Sequence, residues 1–219
     1  MDLTELMLRL KAIEPTHLAD ADKTIRVMDA GLRPLRLGLK LMGRAFTLEA
    51  REDFLTVMVA LEQAQPGDVL VIDTRGSRRA VLGELFSLEA QRRGLAGIVV
   101  DGPIRESVTI RGLDLPVYAR SHTPLAGTTQ KLYAVQVPVA CGGVTVNPGD
   151  VLFGDDDGIV VVSPTELAQL LPTAIQIEAC ERQAIARMQK GESLLTMLNF
   201  DEHRANLQAG RASALKFTL

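Results

Sequence analysis

Apolar positions change their period several times along the chain, and each change predicts an element. Residues 2–13 carry apolar side chains at helical spacing and predict a first helix that Pro15 ends, with a second short helix over 16–22. Gly31 to Gly38 is rich in Arg, Pro and Gly and predicts a loop. Leu39 to Leu48 ends in Arg44-Ala-Phe-Thr-Leu48, a strand pattern, and Asp53 opens a helix that Pro66-Gly67 terminates.

The next segment is the most strongly patterned. Gly67-Asp-Val-Leu-Val-Ile-Asp73 and Gly97-Ile-Val-Val-Asp-Gly102 are short continuous apolar runs, as expected of strands buried on both faces. Between them Thr74-Arg-Gly-Ser77 leads into a helix carrying Gly83 and Glu84. Leu115 to Arg120 predicts another strand. From Tyr133 to Val162 short β-rich runs (134–139, 144–146, 150–153, 158–162) alternate with Gly-Gly, Asn-Pro-Gly and Gly-Asp-Asp-Asp-Gly turns, which predicts antiparallel strands in tight connection. Ser163-Pro-Thr-Glu166 starts a long helix reaching about Lys190-Gly191, with a bend at Pro172. A further helix is expected around 194–208, stopped by Gly210, with the last residues as an arm on a neighbour. The reading is one α/β domain over 1–191 with mixed sheets and flanking helices, and a helical tail or oligomerisation arm over 192–219.

Composition narrows the function classes. With 47% hydrophobic and 23% charged residues in 219, this is an ordinary globular chain. A net charge of −3 leaves no electrostatic footprint for nucleic acid, and the arginines at 75, 78, 79, 92 and 93 have acids interspersed nearby. No apolar run approaches membrane-spanning length and no basic-then-apolar leader opens the chain, so a cytoplasmic protein is expected. Cys141 and Cys180 match no metal-ligand spacing and read as reduced thiols; Cys141, just before Gly142-Gly143, reads as a small buried strand residue, with a catalytic thiol as the alternative.

The candidate chemistry sits at the ends of the central βαβ unit. Gly83-Glu84-Leu85 and Arg105-Glu106 fall at neighbouring strand ends, where open α/β sheets bind ligands. A guanidinium there grips a carboxylate in two-point fashion, and acids hold a hard divalent cation through oxygen and water. Thr74 to Arg79 resembles an anion-binding turn at a helix N-terminus, without the Lys-Ser/Thr of a Walker loop. Gly154 to Gly158 lacks the alternation and distal Glu of a calcium loop and reads as a tight acidic turn. His17, His122 and His203 have no mutual spacing for zinc or a catalytic triad, although His122 lies where it could line a cleft near a strand end.

On these residues the chain resembles the ribonuclease activity regulator A-like (RraA-like) proteins, which include the 4-hydroxy-4-methyl-2-oxoglutarate aldolases. The resemblance spans about residues 40–190 and rests on Pro66 to Asp73, Gly83-Glu-Leu85, Arg93 to Gly102, Ile104-Arg105, Pro138 to Gly143, Val146 to Asp150 and Gly154 to Val161. It implies a β/β/α swivelling-type fold, a homotrimer or homohexamer with sites at subunit boundaries, and a class II pyruvate aldolase, often also an oxaloacetate decarboxylase. The implied cofactor is Mg²⁺ or Mn²⁺, acting as a Lewis acid on a small, multiply anionic 2-oxo acid. By resemblance Arg105 holds the pyruvoyl oxygens, and the amides of Gly83, Glu84, Leu85 and Phe86 cradle the substrate carboxylate. Glu84 matches the acid that opens the family's spaced motif, Glu106 anchors the metal directly or through water, and Glu181, with Glu178 beside it, matches an acid donated by an adjacent subunit. The chain departs from the aldolases in carrying Arg-Glu where they carry Arg-Asp, and Glu84 where many have Asp. The extra methylene at Glu106 bears on the strict octahedral geometry of magnesium. The resemblance also implies an alternative, a non-catalytic regulator that binds a ribonuclease or other protein.

Overall fold

A computed structural model describes residues 3–218. Helix α1 (Leu3–Leu10) is followed by α2 (Pro15–Ala21), so Pro15 begins the second helix at its first turn, where its missing N–H costs nothing. Two-residue strands β1 (Arg26–Val27) and β2 (Arg33–Pro34) precede β3 (Leu41–Glu49), α3 (Leu55–Gln63), β4 (Asp68–Asp73), α4 (Glu84–Arg92), β5 (Gly97–Ile104), α5 (Ser107–Ile110) and β6 (Val117–His122). A hairpin of β7 (Val139–Cys141) and β8 (Val144–Val146) leads to β9 (Val151–Gly154), β10 (Ile159–Val162) and the long α6 (Pro164–Met188). A 3₁₀ turn (Leu194–Met197) and α7 (Phe200–Gln208) close the chain.

Eight strands form one mixed sheet in the order β1-β10-β9-β3-β4-β5-β6-β2, and β7 pairs with β8 in a separate ribbon. The centre, β3-β4-β5-β6, is parallel, whereas β9, β10, β1 and β2 add antiparallel edges. All six residues of β4 are buried, because α3 and α4 cover one face and the β7–β8 ribbon the other. One face packs Leu70, Ile72, Ile98 and Val100 against Val57, Ala60 and Ala90; the opposite face packs Val69, Val71 and Val99 against Val139, Cys141 and Val146. A third cluster seats Leu6, Leu10, Leu18, Leu167 and Leu171 over β9 and β10. Ser163 and Glu166 cap α6 reciprocally, and Pro172 lies inside that helix without ending it. Among the described residues no helix is long and apolar enough to cross a membrane.

Five local expectations need correction. The run 134–139 is not one strand: Val135 makes an isolated bridge to Leu48, Gln136 takes a left-handed conformation (φ 54°) with its N–H on the Thr47 carbonyl, and only Val139 enters β7. The Asn-Pro-Gly turn joins β8 to β9 across two sheets, not within one ladder. The loop 31–38 contains β2, which pairs with β6. The expected tail helix splits at Leu198, which is extended and bridges Phe217, while Asn199 binds Ala214 and Lys216. β5 does not stop at Gly102 but continues through Pro103 to Ile104, with the register against β6 shifting between Val100 and Pro103. That irregularity accommodates a residue with no N–H to donate and re-aims the chain at the strand end. Arg105 is the next residue beyond it.

Candidate active site

Helix α4 begins at Glu84 with Gly83 as its N-cap, and its first amides have no partner within the helix. The chain leaving β5 supplies one. Arg105 donates its backbone N–H to the Leu82 carbonyl at 3.1 Å, which lays residues 105 and 106 beside the start of α4. Glu106 then adopts a left-handed backbone (φ 57°), uncommon outside glycine, asparagine and aspartate. Its Oε2 accepts the Glu84 N–H at 2.9 Å. Gly83 makes this approach possible: a Cβ there would lie 2.5 Å from Glu106 Oε2 and 3.2 Å from Arg105 Nε.

The other carboxylate oxygen, Oε1, stands 3.3 Å from Arg105 Nη2, with the two side chains 39% and 34% exposed. A pair so open to water is worth about 0–1 kcal/mol, so the guanidinium is readily redirected to an incoming anion. Two clefts meet at these side chains. One, of about 270 Å³, is walled by Phe54, Met58, Val81, Leu82, Leu85 and Phe86 as well as Gly83, Ala80 and Ala126. Phe54 and Phe86 hold each other edge to face at 5.5 Å. The other, of about 340 Å³, is lined by Arg105, Glu106, His122, Thr123 and Pro124.

The structure thus brings Gly83, Leu85, Phe86, Arg105 and Glu106 together, and His122 does line a cleft at a strand end. Glu84 contributes its amide. That amide, expected to cradle a substrate carboxylate, is held by Glu106 in this state. Glu181 is not brought to Arg105 within one chain. It accepts from His17 Nε2 at 3.2 Å, while His17 Nδ1 accepts the Glu14 N–H at 2.9 Å, and it lines a different cleft with Asp20, Lys23, Cys180 and Phe217. Glu178 pairs with Arg182 at 3.4 Å.

The turn after β4 is not an anion site at a helix N-terminus. Residues 80–83 separate it from α4, Arg75 is tied to Glu49 and Asp73, and Ser77 Oγ is exchanged with the backbone of Arg79. Cys141 is fully buried, and burial, with Asp101 and Asp73 nearby, pushes its thiol well up, which fits packing rather than nucleophilic chemistry. The acidic turn 154–158 joins β9 to β10, with the Asp155 carbonyl accepting from the Tyr118 hydroxyl at 2.7 Å.

Among the described residues no three His, Cys, Asp or Glu side chains converge as a ready metal cage. Glu106 nevertheless keeps unused lone pairs on a part-exposed carboxylate. Such a donor suits a hard divalent ion that retains most of its water, as magnesium commonly does with one or two carboxylates. The cleft walls Phe54, at the N-cap of α3, and Met58, within it, were not legible as site residues, because their i, i+4 spacing is also that of a helix's core face.

Residues 16–161 match the family model described as RraA-like, Aldolase/RraA. A protein of Halalkalibacterium halodurans provisionally named a 4-hydroxy-4-methyl-2-oxoglutarate aldolase is 33% identical over 177 residues, covering 80% of this chain and 84% of its own. Among solved structures, Streptomyces coelicolor RraAS2, described as an unusual member of the RNase ES inhibitor RraA family, superposes with a TM-score of 0.74 at 36% identity, over 84% of this chain and 96% of that one. The RNA-processing inhibitor RraA from Thermus thermophilus gives 0.63 at 31% identity, over 67% and 90%. The matched segment holds the parallel centre of the sheet, Gly83 and the Arg105–Glu106 pair, and the chain belongs to the RraA-like family.

Proposed function

We propose that the chain is a divalent-metal-dependent carbon–carbon lyase that releases pyruvate from a small 2-oxo acid, as an aldolase with accompanying oxaloacetate decarboxylase activity. The observation that carries this reading is the weakly held Arg105 guanidinium beside Glu106, at the junction of two clefts beyond the end of β5. The name of the Halalkalibacterium relative supports the same class.

Arg105 binds the carboxylate and 2-oxo oxygens of the substrate by two-point contact. When the C3–C4 bond breaks, negative charge gathers on the 2-oxo oxygen, and a guanidinium already aimed there stabilises it without reorganisation. Glu106 is the carboxylate that would hold Mg²⁺ or Mn²⁺ through water, with Glu84 as a second acid at the same helix start. Such an ion, when bound, supplies Lewis-acid polarisation of the 2-oxo group. The Glu84 amide becomes a donor for substrate once Glu106 turns away from it. The His122 imidazole, on the adjoining cleft, takes the proton of the C4 hydroxyl. Assembly as a homotrimer or homohexamer, with Glu181 reaching a neighbour's site, is part of the same reading.

The second reading is a non-catalytic regulator of a ribonuclease or other protein, and the descriptions of the Streptomyces and Thermus relatives favour it. Replacing Arg105 separates the two. In a lyase, Arg105→Ala lowers kcat/KM by about 10²–10³ while the oligomer stays intact; in a regulator there is no turnover to lose.

A further inference from the structure

The cleft beside Arg105 is apolar over nearly its whole wall. Phe54, Met58, Val81, Leu82, Leu85 and Phe86 form it, and among the described residues lining it Arg105 is the sole cation and Glu106 the sole acid. The nearby Arg79 guanidinium is turned to the Ala126 carbonyl at 2.8 Å. Within one chain, a second carboxylate lodged against this wall would lose its water and gain no partner. Leu85 and Met58 stand 68% and 48% exposed at the rim, so apolar surface remains to be covered by whatever enters. At ~30 Å³ per water-sized group, the cleft has room for on the order of nine such groups.

We infer that the substrate is a 4-hydroxy-2-oxo acid with a single carboxylate, whose C4 carries an aryl or branched alkyl arm seated between α3 and the start of α4. This rests on the lyase reading and names its substrate class. The carboxylate and 2-oxo oxygen lie on Arg105, the C4 hydroxyl faces the His122 cleft, and the arm fills the apolar one. In the step itself the C4–O–H proton leaves to a base and the oxygen lone pair forms the new C4=O bond. The C3–C4 bond breaks, its electrons form the pyruvate enolate, and protonation at C3 gives pyruvate and an aldehyde.

The test compares pyruvate release from 4-hydroxy-2-oxo-4-phenylbutanoate and from 4-hydroxy-4-methyl-2-oxoglutarate, in the full-length protein with Mn²⁺. Burial of the ring predicts kcat/KM at least about thirtyfold higher for the phenyl compound. Met58→Lys, which places an ammonium at the rim, is expected to lower that ratio at least about tenfold. Exchange of the pyruvate methyl protons in D₂O, which needs no arm, reports the lyase site independently. Exchange together with a preference for the dicarboxylate overturns the apolar arm and leaves the lyase reading standing. A ratio that Met58→Lys leaves unchanged while the oligomer dissociates also overturns it, and assigns the wall to a second copy of the chain. If exchange and both cleavages are missing with every divalent metal, the lyase reading falls, and this inference with it.

Discussion

The carboxylate of Glu106 caps helix α4 through the amide of Glu84, 2.9 Å away, although the two residues belong to different arms of the βαβ unit. One side chain thereby closes the helix end, faces the Arg105 guanidinium, and occupies the amide an anionic substrate would use. The family resemblance implies an aspartate at this position. The additional methylene gives Glu106 more reach toward that amide than an aspartate has.

Glu106→Gln separates capping from charge. The amide oxygen still accepts the Glu84 N–H, so thermal stability is expected to change by less than ~1 kcal/mol. Mn²⁺ affinity is expected to fall at least about tenfold, because a carboxamide is a weaker ligand for a hard cation. A thermal melt and a calorimetric Mn²⁺ titration of the same preparation check both halves.

Removing the guanidinium tests where the charge develops. Arg105→Ala is expected to lower kcat/KM by about 10²–10³, the usual cost of a lost anion-stabilising donor. Arg105→Lys should recover only part of it, since an ammonium lacks the two-point fork. Steady-state pyruvate release measures the series.

A methyl group at Gly83 strikes the clamp directly. With φ near −147° the backbone tolerates any residue, so the effect is steric: the Cβ falls 2.5 Å from Glu106 Oε2. The atoms it meets belong to movable side chains, so Gly83→Ala is expected to cost about 0.5–1.5 kcal/mol, the lost capping bond, and to displace Glu106 from the Glu84 amide. Denaturant unfolding and amide exchange at Glu84 report the two effects.

Asp53 ties α3, and with it the cleft wall at Phe54, to the segment 128–131. Burial works against its charge, but the Thr128 hydroxyl (2.7 Å) and the amides of Leu55, Gln130 and Lys131 (2.9, 2.6 and 3.1 Å) overcome this and hold the carboxyl below its ordinary range. A depressed pKa contributes stability that is complete above the unfolded value of about 3.9 and is lost as pH falls through the folded one. Asp53→Ala is therefore expected to lose about 3 kcal/mol at neutral pH and to show a shallower loss of stability below about pH 4. Urea melts from pH 7 to pH 3 decide it.

His122 carries the proposed proton transfer, and its removal should slow turnover rather than weaken the binding of substrate. His122→Asn is expected to lower kcat by about 10²-fold with KM little changed, as read by steady-state pyruvate release. An unaltered kcat would assign the proton to another group.

What the sequence made legible follows from burial. β4 and β5 are covered on both faces, so their apolar runs are continuous and stand out, and the Ser163–Glu166 capping pair marks the start of α6 in four residues. Proline at 103 hid the end of β5, because a strand takes proline only through a register shift against β6, a property of two strands rather than one. Gln136 likewise breaks a β-patterned run through a bond to Thr47. The residues at the strand ends were readable as Gly83, Arg105 and Glu106, but the contact joining Glu106 to Glu84 was not. It depends on the left-handed backbone at 106 and on how closely Gly83 lets the two segments approach. Phe54 and Met58 were silent for another reason: a cleft wall and a core face have the same helical period.

Metal-dependent cleavage of a 2-oxo acid at Arg105 and Glu106 is open to a simple assay. The most direct measurement supplies the purified protein with oxaloacetate and with 4-hydroxy-4-methyl-2-oxoglutarate, and follows pyruvate by coupling to lactate dehydrogenase. Pyruvate release above the protein-free rate is expected with Mg²⁺ or Mn²⁺, abolished by EDTA and restored by added metal. Protein-dependent release that persists in EDTA, or none from either compound or from the phenyl analogue under any divalent metal, would contradict metal-dependent cleavage.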